Sequence, residues 1–306
     1  MSIIAMSVWD LLSDHTVRVV LLGCTMTGAV SGALGCFAYL RRQSLVGDVV
    51  SHSALLGIVL AFWIVYGVTG QGNRSLMVLM PGAFVAGLAS LLLTRRIQRG
   101  TRLKEDAGLG VMLAIFFGTG MMILRYLQRA SPPIPGRAGL DHYLFGMAGA
   151  MTRADLWMIA AVGSAVLIAM ILTWSRLKII TFDQQYAAGL GLSVNGLEVL
   201  LLTLIVLGIV IGLQIVGVVL MISLLVAPAA AARQWTHSLG VMVWLAGFIG
   251  GVSGAIGGLV SAIGPSLPTG PIIVLNVTAI VALSMALAPK RGLVSKWRRR
   301  KVIHVD

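Results

Sequence analysis

Residues 44–57 read SLVGDVVSHSALLG, and they place an aspartate and a histidine at the start of a long apolar run. A charged side chain at bilayer depth is costly, so such residues usually face a cavity or a partner group. Asp48 and His52 are spaced i, i+4 and therefore share one face of a helix. The stretch predicts a functional polar face on a membrane-spanning helix.

The rest of the chain has the composition of an integral membrane protein. Of its 306 residues, 58% are hydrophobic and 11% are charged, whereas a soluble domain has about 25% charged residues. The candidate membrane helices are apolar runs at about 17–40, 45–68, 76–94, 109–127, 156–174, 197–213, 215–232, 240–262 and 271–289. The sixth and seventh runs are continuous, and we expect a hairpin or a break at residues 212–214. We predict an all-α integral membrane protein, a polytopic bundle of eight or nine transmembrane helices with a short cytoplasmic helix.

The distribution of basic residues predicts which loops are cytoplasmic. Most of the 23 Lys and Arg residues lie in segments 41–42, 95–106, 175–196, 233–239 and 290–306. The positive-inside rule puts these segments and the C-terminus in the cytoplasm. The N-terminus is then outside if nine helices span and inside if eight do. The formal charge of +13 does not predict nucleic-acid binding, because no separate basic domain carries it.

The chain is predicted to be one transmembrane domain. No linker is long enough to divide residues 1–306, and no internal repeat is evident. The segment 1–16 precedes the first apolar run, and a basic tail occupies residues 290–306.

Asp48 and His52 offer half of a site for a divalent transition metal, since carboxylate and imidazole both ligate such ions. Two ligands are too few for a tight site, but a twofold dimer would bring a second pair. Ser44 and Ser51 lie on or beside the same face and are candidate neighbours along an ion pathway. Spacing alone leaves another interpretation open: Asp48 accepts from backbone amides at a helix start, and His52 is a hydrogen-bonded interior histidine.

Five stretches in order resemble the permease subunits of manganese, zinc and iron ABC importers, the ABC-3 type. They are RRQSLVGDVVSHSALLGIVLAF (41–62), EDAGLGVMLAIFFGTG (105–120), ITFDQQYAAGLGLSV (180–194), LQIVGVVLMISLLVAPAAAARQWT (213–236) and SLPTGPIIVL (266–275). The resemblance spans most of residues 17–290. The sequence departs from the family pattern at Leu56, where many members have proline, so we expect this helix to be less kinked than theirs.

The resemblance implies a multi-pass permease of the bacterial cytoplasmic (inner) membrane that passes a metal ion into the cytoplasm. Asp48 and His52 would hold the transported ion transiently, with no permanently bound cofactor. Manganese is the first candidate, followed by zinc or iron. The implied partners are a cytoplasmic ABC ATPase, an extracellular or periplasmic metal-binding protein, membrane lipid and a second permease protomer, identical or paralogous.

The segment 180–194 is predicted to couple the permease to the ATPase. It leaves an apolar surface on a short cytoplasmic helix, and exposed apolar patches usually mark a partner surface. Gly189 and Gly191 are expected to end this helix. An interfacial helix lying on the membrane is the alternative. The resemblance assigns contact with the ATPase to Phe182, Asp183, Tyr186, Ala187, Leu190 and Gly191.

One proline could shape a gate. Pro228 removes a helical hydrogen bond, so it either kinks the seventh run or ends it before Arg233.

Two rival functions fit the sequence less well. The GVSG pattern at 251–254 matches an intramembrane serine protease, but only His304 follows Ser253 as a candidate base. A gradient-driven secondary transporter often has inverted repeats and lacks a coupling segment. The sequence has no Gly-x-x-x-x-Gly-Lys-(Ser/Thr) loop, so we expect a transport subunit, not an enzyme, with ATP hydrolysed by another chain.

Overall fold

The computed structural model describes residues 14–73, 75–136, 140, 146, 148–263 and 268–288. The basic tail, most of the N-terminal segment and part of the stretch 266–275 lie outside these residues. The helices are α1 (His15–Leu40), α2 (Ser44–Thr69), α3 (Leu76–Gly100), α4 (Glu105–Arg129), α5 (Arg153–Leu172), α6 (Trp174–Phe182), α7 (Gln184–Gly189), α8 (Val194–Val216), α9 (Met221–Trp235), α10 (Leu239–Ile263) and α11 (Thr269–Leu287), with a 3-10 turn at Ala148–Ala150.

Within the described residues, 8 helices are long and apolar enough to cross a membrane. They are α1 to α5, α8, α10 and α11, whereas α6, α7 and α9 are shorter. The predicted polytopic helical bundle is thereby confirmed.

Helix α1 lies at the centre of the bundle because its small residues let other helices approach its backbone. A Cβ atom placed on Gly28 would lie 2.1 Å from the carbonyl oxygen of Gly250 in α10. One on Gly254 would lie 2.2 Å from the carbonyl oxygen of Cys24. Close approach of this kind drives helix association in lipid, where no hydrophobic effect operates between helices. The two pairs also show that α10 runs antiparallel to α1.

Helix α8 runs antiparallel to α1 as well. The Ser31 hydroxyl donates to the Gly208 carbonyl at 3.4 Å, and a Cβ on Gly212 would lie 3.0 Å from the Thr27 methyl group. Because α8 and α10 run in the same direction, residues 217–238 must return the chain to the side where α8 began. Within the described residues this return contains α9, so the chain passes between the two faces of the bundle nine times, the upper of the two predicted counts.

The start of α1 and the end of α11 consequently lie on opposite faces of the bundle. Helix α11 packs antiparallel to α10, since a Cβ on Gly257 would lie 2.3 Å from the Ile273 side chain just after the connection. We call the face at which α1 ends the basic face. The Lys and Arg residues described there are Arg41, Arg42, Arg95, Arg96, Arg99, Arg102, Lys104, Arg176, Lys178 and Arg233, against Arg18, Arg125, Arg129 and Arg153 on the other face.

The predicted break at residues 212–214 is wrong, because α8 continues to Val216. The turn needs a residue with positive φ, and Gly217 supplies it with a φ of 87°. Gly212 instead makes room inside the bundle, since a Cβ there would lie 2.5 Å from the Met221 sulfur. Near the end of α8, Gly212 is therefore needed for packing and Gly217 for the turn.

One sequence interpretation expected Pro228 to end its helix before Arg233, and this is wrong. Helix α9 runs through it to Trp235, and Pro228 is buried. A Cβ on Gly32 of α1 would lie 3.3 Å from the proline ring. The ring therefore packs against α1, and the backbone carbonyl four residues earlier loses its helical donor.

Replacing Gly57 with alanine is expected to destabilise the bundle, because the new methyl would lie 2.0 Å from the carbonyl oxygen of Gly82 in α3. Overpacking of this kind costs about 1–3 kcal/mol. Gly67→Ala is the matched control on the same helix, since a Cβ there has nothing within 4 Å. Thermal unfolding of the detergent-solubilised proteins measures both effects. A Gly57→Ala protein as stable as the Gly67→Ala protein would contradict backbone contact between α2 and α3.

Candidate metal site and coupling segment

Two neighbouring helices hold α2 in place at close range. A Cβ on Gly82 of α3 would lie 2.4 Å from the Gly57 carbonyl oxygen, and one on Gly120 of α4 would lie 2.9 Å from the Leu56 amide nitrogen. Helix α2 runs without interruption from Ser44 to Thr69. This agrees with the presence of Leu56, which keeps the amide that a proline would lack.

Asp48 and His52 lie together on one face of α2, as their spacing predicted. His52 Nε2 is 3.3 Å from Asp48 Oδ1, and the side chains are 16% and 29% exposed, respectively. The imidazole packs edge-on against Phe117 of α4, with ring centroids 4.6 Å apart. Its Nδ1 atom is buried and has no hydrogen-bond partner. The pair is thus oriented by α2 and α4 and reaches the surface of the protomer.

One chain supplies only this pair. Among the residues that the structure describes, no group of three His, Cys, Asp or Glu side chains is placed to hold a metal ion. A carboxylate and an imidazole at a protomer surface would coordinate an ion weakly unless a second chain added ligands.

Of the two candidate neighbours of Asp48 and His52 along an ion pathway, Ser51 does not share their exposure and Ser44 is not described. Ser51 is fully buried, and its hydroxyl lies 2.8 Å from the Gly47 carbonyl and 3.1 Å from that of Asp48. It is therefore held by its own helix and does not share the exposed side of α2. The side chain of Ser44 lies outside the described residues.

The predicted coupling helix is in fact two helices. Helix α6 ends at Phe182, and Asp183 is extended with φ of −149°, so that its carboxylate accepts from the Tyr186 amide at 2.8 Å. Asp183 is therefore the N-cap of α7. The prediction for the C-terminal end is confirmed, since α7 ends at Gly189 and Gly191 has a φ of 74°.

The exposed apolar surface of this segment is smaller than predicted. Phe182, Tyr186 and Leu190 are each more than half exposed, whereas Ala187 is fully buried. Ala187 faces the bundle because α7 is a short helix lying on it, so we correct its assignment to the ATPase contact. Gly191 serves the turn into α8.

An ionic cluster at the basic face was not predicted from the sequence. Glu198 of α8 pairs with Arg41 through Oε1 and with Arg95 of α3 through Oε2 at 3.3 Å, and Gln184 of α7 donates to Oε1 at 2.8 Å. We call these four residues the Glu198 cluster. The partners lie 14 to 157 positions from Glu198 along the chain, so no local pattern signals the contact.

Ser253, the serine of the protease-like pattern, is fully buried in α10. Its hydroxyl donates to the Ile249 carbonyl at 2.8 Å. A hydroxyl bonded within its own helix is not presented to a substrate.

The spanning helices define a polytopic helical membrane protein, with an acid–imidazole pair on one helix and a short segment with exposed aromatic side chains at the basic face. Residues 13–288 match the ABC 3 transport family, and the chain belongs to that family. It is accordingly a multi-pass membrane protein of an ABC transport family. The resemblance seen in the sequence is confirmed.

The relatives span nearly the full chain. The zinc transport system membrane protein TroC of Treponema pallidum is 42% identical over 95% of this chain and 96% of its own length. The manganese transport system membrane protein MntC of Bacillus subtilis is 41% identical over 95% of this chain, which spans 65% of that relative. In the solved structure of PsaBC from Streptococcus pneumoniae in complex with Fab, one chain superposes with a TM-score of 0.80 at 28% identity, covering 96% of this chain and 98% of its own.

Asp183→Ala is expected to loosen α7, because the amide of Tyr186 would lose its acceptor. Loss of an N-cap costs about 0.5–2 kcal/mol. Amide hydrogen exchange of residues 184–189 should become faster, while Asp183→Asn, which keeps an acceptor oxygen, should exchange nearly as the native protein does. Equal protection in all three proteins would show that the cap does not hold α7.

Proposed function

We propose that the chain is the permease of an ABC importer that moves a divalent transition metal ion into the cytoplasm, with manganese as the first candidate, then zinc or iron. The whole chain acts as one permease domain and holds no resident cofactor. The metal is its cargo. The observation that carries the proposal is the Asp48–His52 pair, 3.3 Å apart and partly exposed on a spanning helix.

Weak coordination suits a transport site. An ion that is carried must leave again, and two ligands from one chain release it more readily than a closed set of four. A second permease protomer, identical or paralogous, would bring a second pair across a twofold axis. The names of the relatives support both candidate metals, since one relative is a zinc and the other a manganese transport protein.

The orientation follows from charge. Lys and Arg residues are concentrated on the basic face, so this face and the end of α11 are cytoplasmic by the positive-inside rule. The coupling segment then meets the ATPase, and the opposite face receives the ion from an extracellular or periplasmic binding protein. The buried ring of Pro228 sits where a gate between these faces could act through α9.

Uptake measurements test the pair. In cells lacking their own importers and supplied with this permease, its ATPase and its binding protein, radioactive manganese and zinc uptake should fall at least about tenfold in Asp48→Ala and His52→Ala. Removing either ligand leaves one donor per protomer. The better-transported ion in the native strain names the cargo.

Val68→Ala serves as the control, because Val68 lies on the same helix, is 81% exposed and is far from the pair. All variants are compared at equal membrane abundance. Unchanged uptake in both Asp48→Ala and His52→Ala would return the pair to a structural role.

Docking of the ATPase is tested at the exposed aromatic residues of the coupling segment. Phe182 and Tyr186 are both 58% exposed, and they bracket Asp183 beside a surface cleft that also includes Trp174 and Lys178. The double variant Phe182→Ala/Tyr186→Ala should lower co-purification of the ATPase with the permease. Trp157→Ala, at a 74% exposed residue near the other face, should not. Equal recovery of the ATPase with both proteins would argue for the membrane-surface role of this segment.

A further inference from the structure

The Glu198 cluster joins the coupling segment to the turn that starts the metal-site helix. One carboxylate oxygen of Glu198 contacts both Gln184 of α7 and Arg41, which lies between α1 and α2. The other oxygen binds Arg95 of α3. One partly buried side chain on α8 thus contacts three other parts of the basic face at once.

The turn between α1 and α2 is stiff enough to pass on a displacement. The Gln43 amide donates to the Ala38 carbonyl at 3.0 Å and that of Arg42 to the Tyr39 carbonyl at 3.1 Å, the two bonds of a Schellman motif. Arg42 takes the left-handed conformation with φ of 57°. Since α2 begins two residues later, a shift of Arg41 moves the helix that carries Asp48.

The charges of the cluster make Glu198 hard to replace. The side chains of Arg41 and Glu198 are 6% and 14% exposed, so both ions are largely removed from water. Arg41 Nη1 is buried and has no hydrogen-bond partner, so the carboxylate is the group that compensates this cation. Removing one partner of a buried ion pair leaves an uncompensated charge, which is strongly destabilising.

The contact with α7 is the weakest in the cluster and therefore the one that can change. Gln184 is exposed and neutral, and a hydrogen bond from a neutral amide is weaker than an ion pair with arginine. A cavity of about 340 Å³, lined by Arg41, Arg95, Gln184 and Glu198 among others, leaves space in which these side chains can move.

We propose that Glu198 is a positioning residue that transmits displacement of α7 to the start of α2, and so to Asp48 and His52. This inference rests on the proposed function, because the displacement is supplied by the ATPase. Glu198 does not contact the metal. Its role is to make the geometry of the metal pair depend on the position of the coupling segment.

The test is the ratio of metal transported to ATP hydrolysed by the complete importer in liposomes. Glu198→Gln keeps the size of the side chain and removes its charge. We expect ATP hydrolysis within about twofold of native and a transport ratio lower by roughly 5-fold or more, the low end of ordinary coupling between sites. Gln184→Ala should lower the ratio in the same direction, and adding it to Glu198→Gln should have little further effect.

Asn195→Ala is the matched control. Asn195 accepts from Arg99 Nη2 at 2.7 Å, so it also bridges α8 and α3, but it is not one of the residues bonded to Glu198. The Asn195→Ala importer should keep the native ratio of metal transported to ATP hydrolysed. A merely structural role for Glu198 would lower transport and hydrolysis together and leave the ratio unchanged, because misfolded importer does neither.

The outcomes separate the two proposals. If the native importer transports metal and both Glu198→Gln and Gln184→Ala keep its ratio, this inference is overturned and the proposed function stands. If the native importer hydrolyses ATP but moves neither manganese, zinc nor iron, the proposed function itself fails.

Discussion

Direct contact between helix backbones is the constraint on which the whole bundle depends. In lipid, helices gain little from burying apolar side chains, so they associate through close packing of small residues. Gly28 meets Gly250 between α1 and α10, and Gly57 meets Gly82 between α2 and α3, at distances that leave no room for a methyl group. Such contacts set the relative position of two helices to within less than the size of one side chain. The position of the Asp48–His52 pair is fixed equally closely, because α2 is held by the same kind of contact.

Polar groups within the bundle divide into those satisfied by their own helix and those left for other roles. The hydroxyls of Ser51 and Ser253 lie within hydrogen-bonding distance of carbonyls of the preceding turn, and both residues are fully buried. Asp48 and His52 remain partly exposed and interact with each other. The Glu198 cluster is the third case, since it pairs a largely buried carboxylate with two arginines at the basic face. Each polar group therefore has a depth and a degree of exposure that fit its proposed role.

The sequence predicted the features that depend on local spacing and composition. Apolar runs gave the spanning helices, and i, i+4 spacing brought Asp48 and His52 onto one face. It did not predict features that depend on distant parts of the chain. Gly212 and Gly217 look alike in sequence, and only the structure shows that Gly212 packs closely against Met221 whereas Gly217 makes the turn. Ala187 belongs to an apolar patch by composition but is covered by the bundle. The partners of Glu198 come from two other helices and from the turn between α1 and α2.

The parallel course of α8 and α10 has a consequence for joining two bundles in one chain. Because the described bundle begins on one face with α1 and ends on the other with α11, a second such bundle in the same orientation could not follow directly on the face where α11 ends. A tandem version would need an additional membrane crossing between its halves. Two separate copies of the bundle avoid this extra crossing.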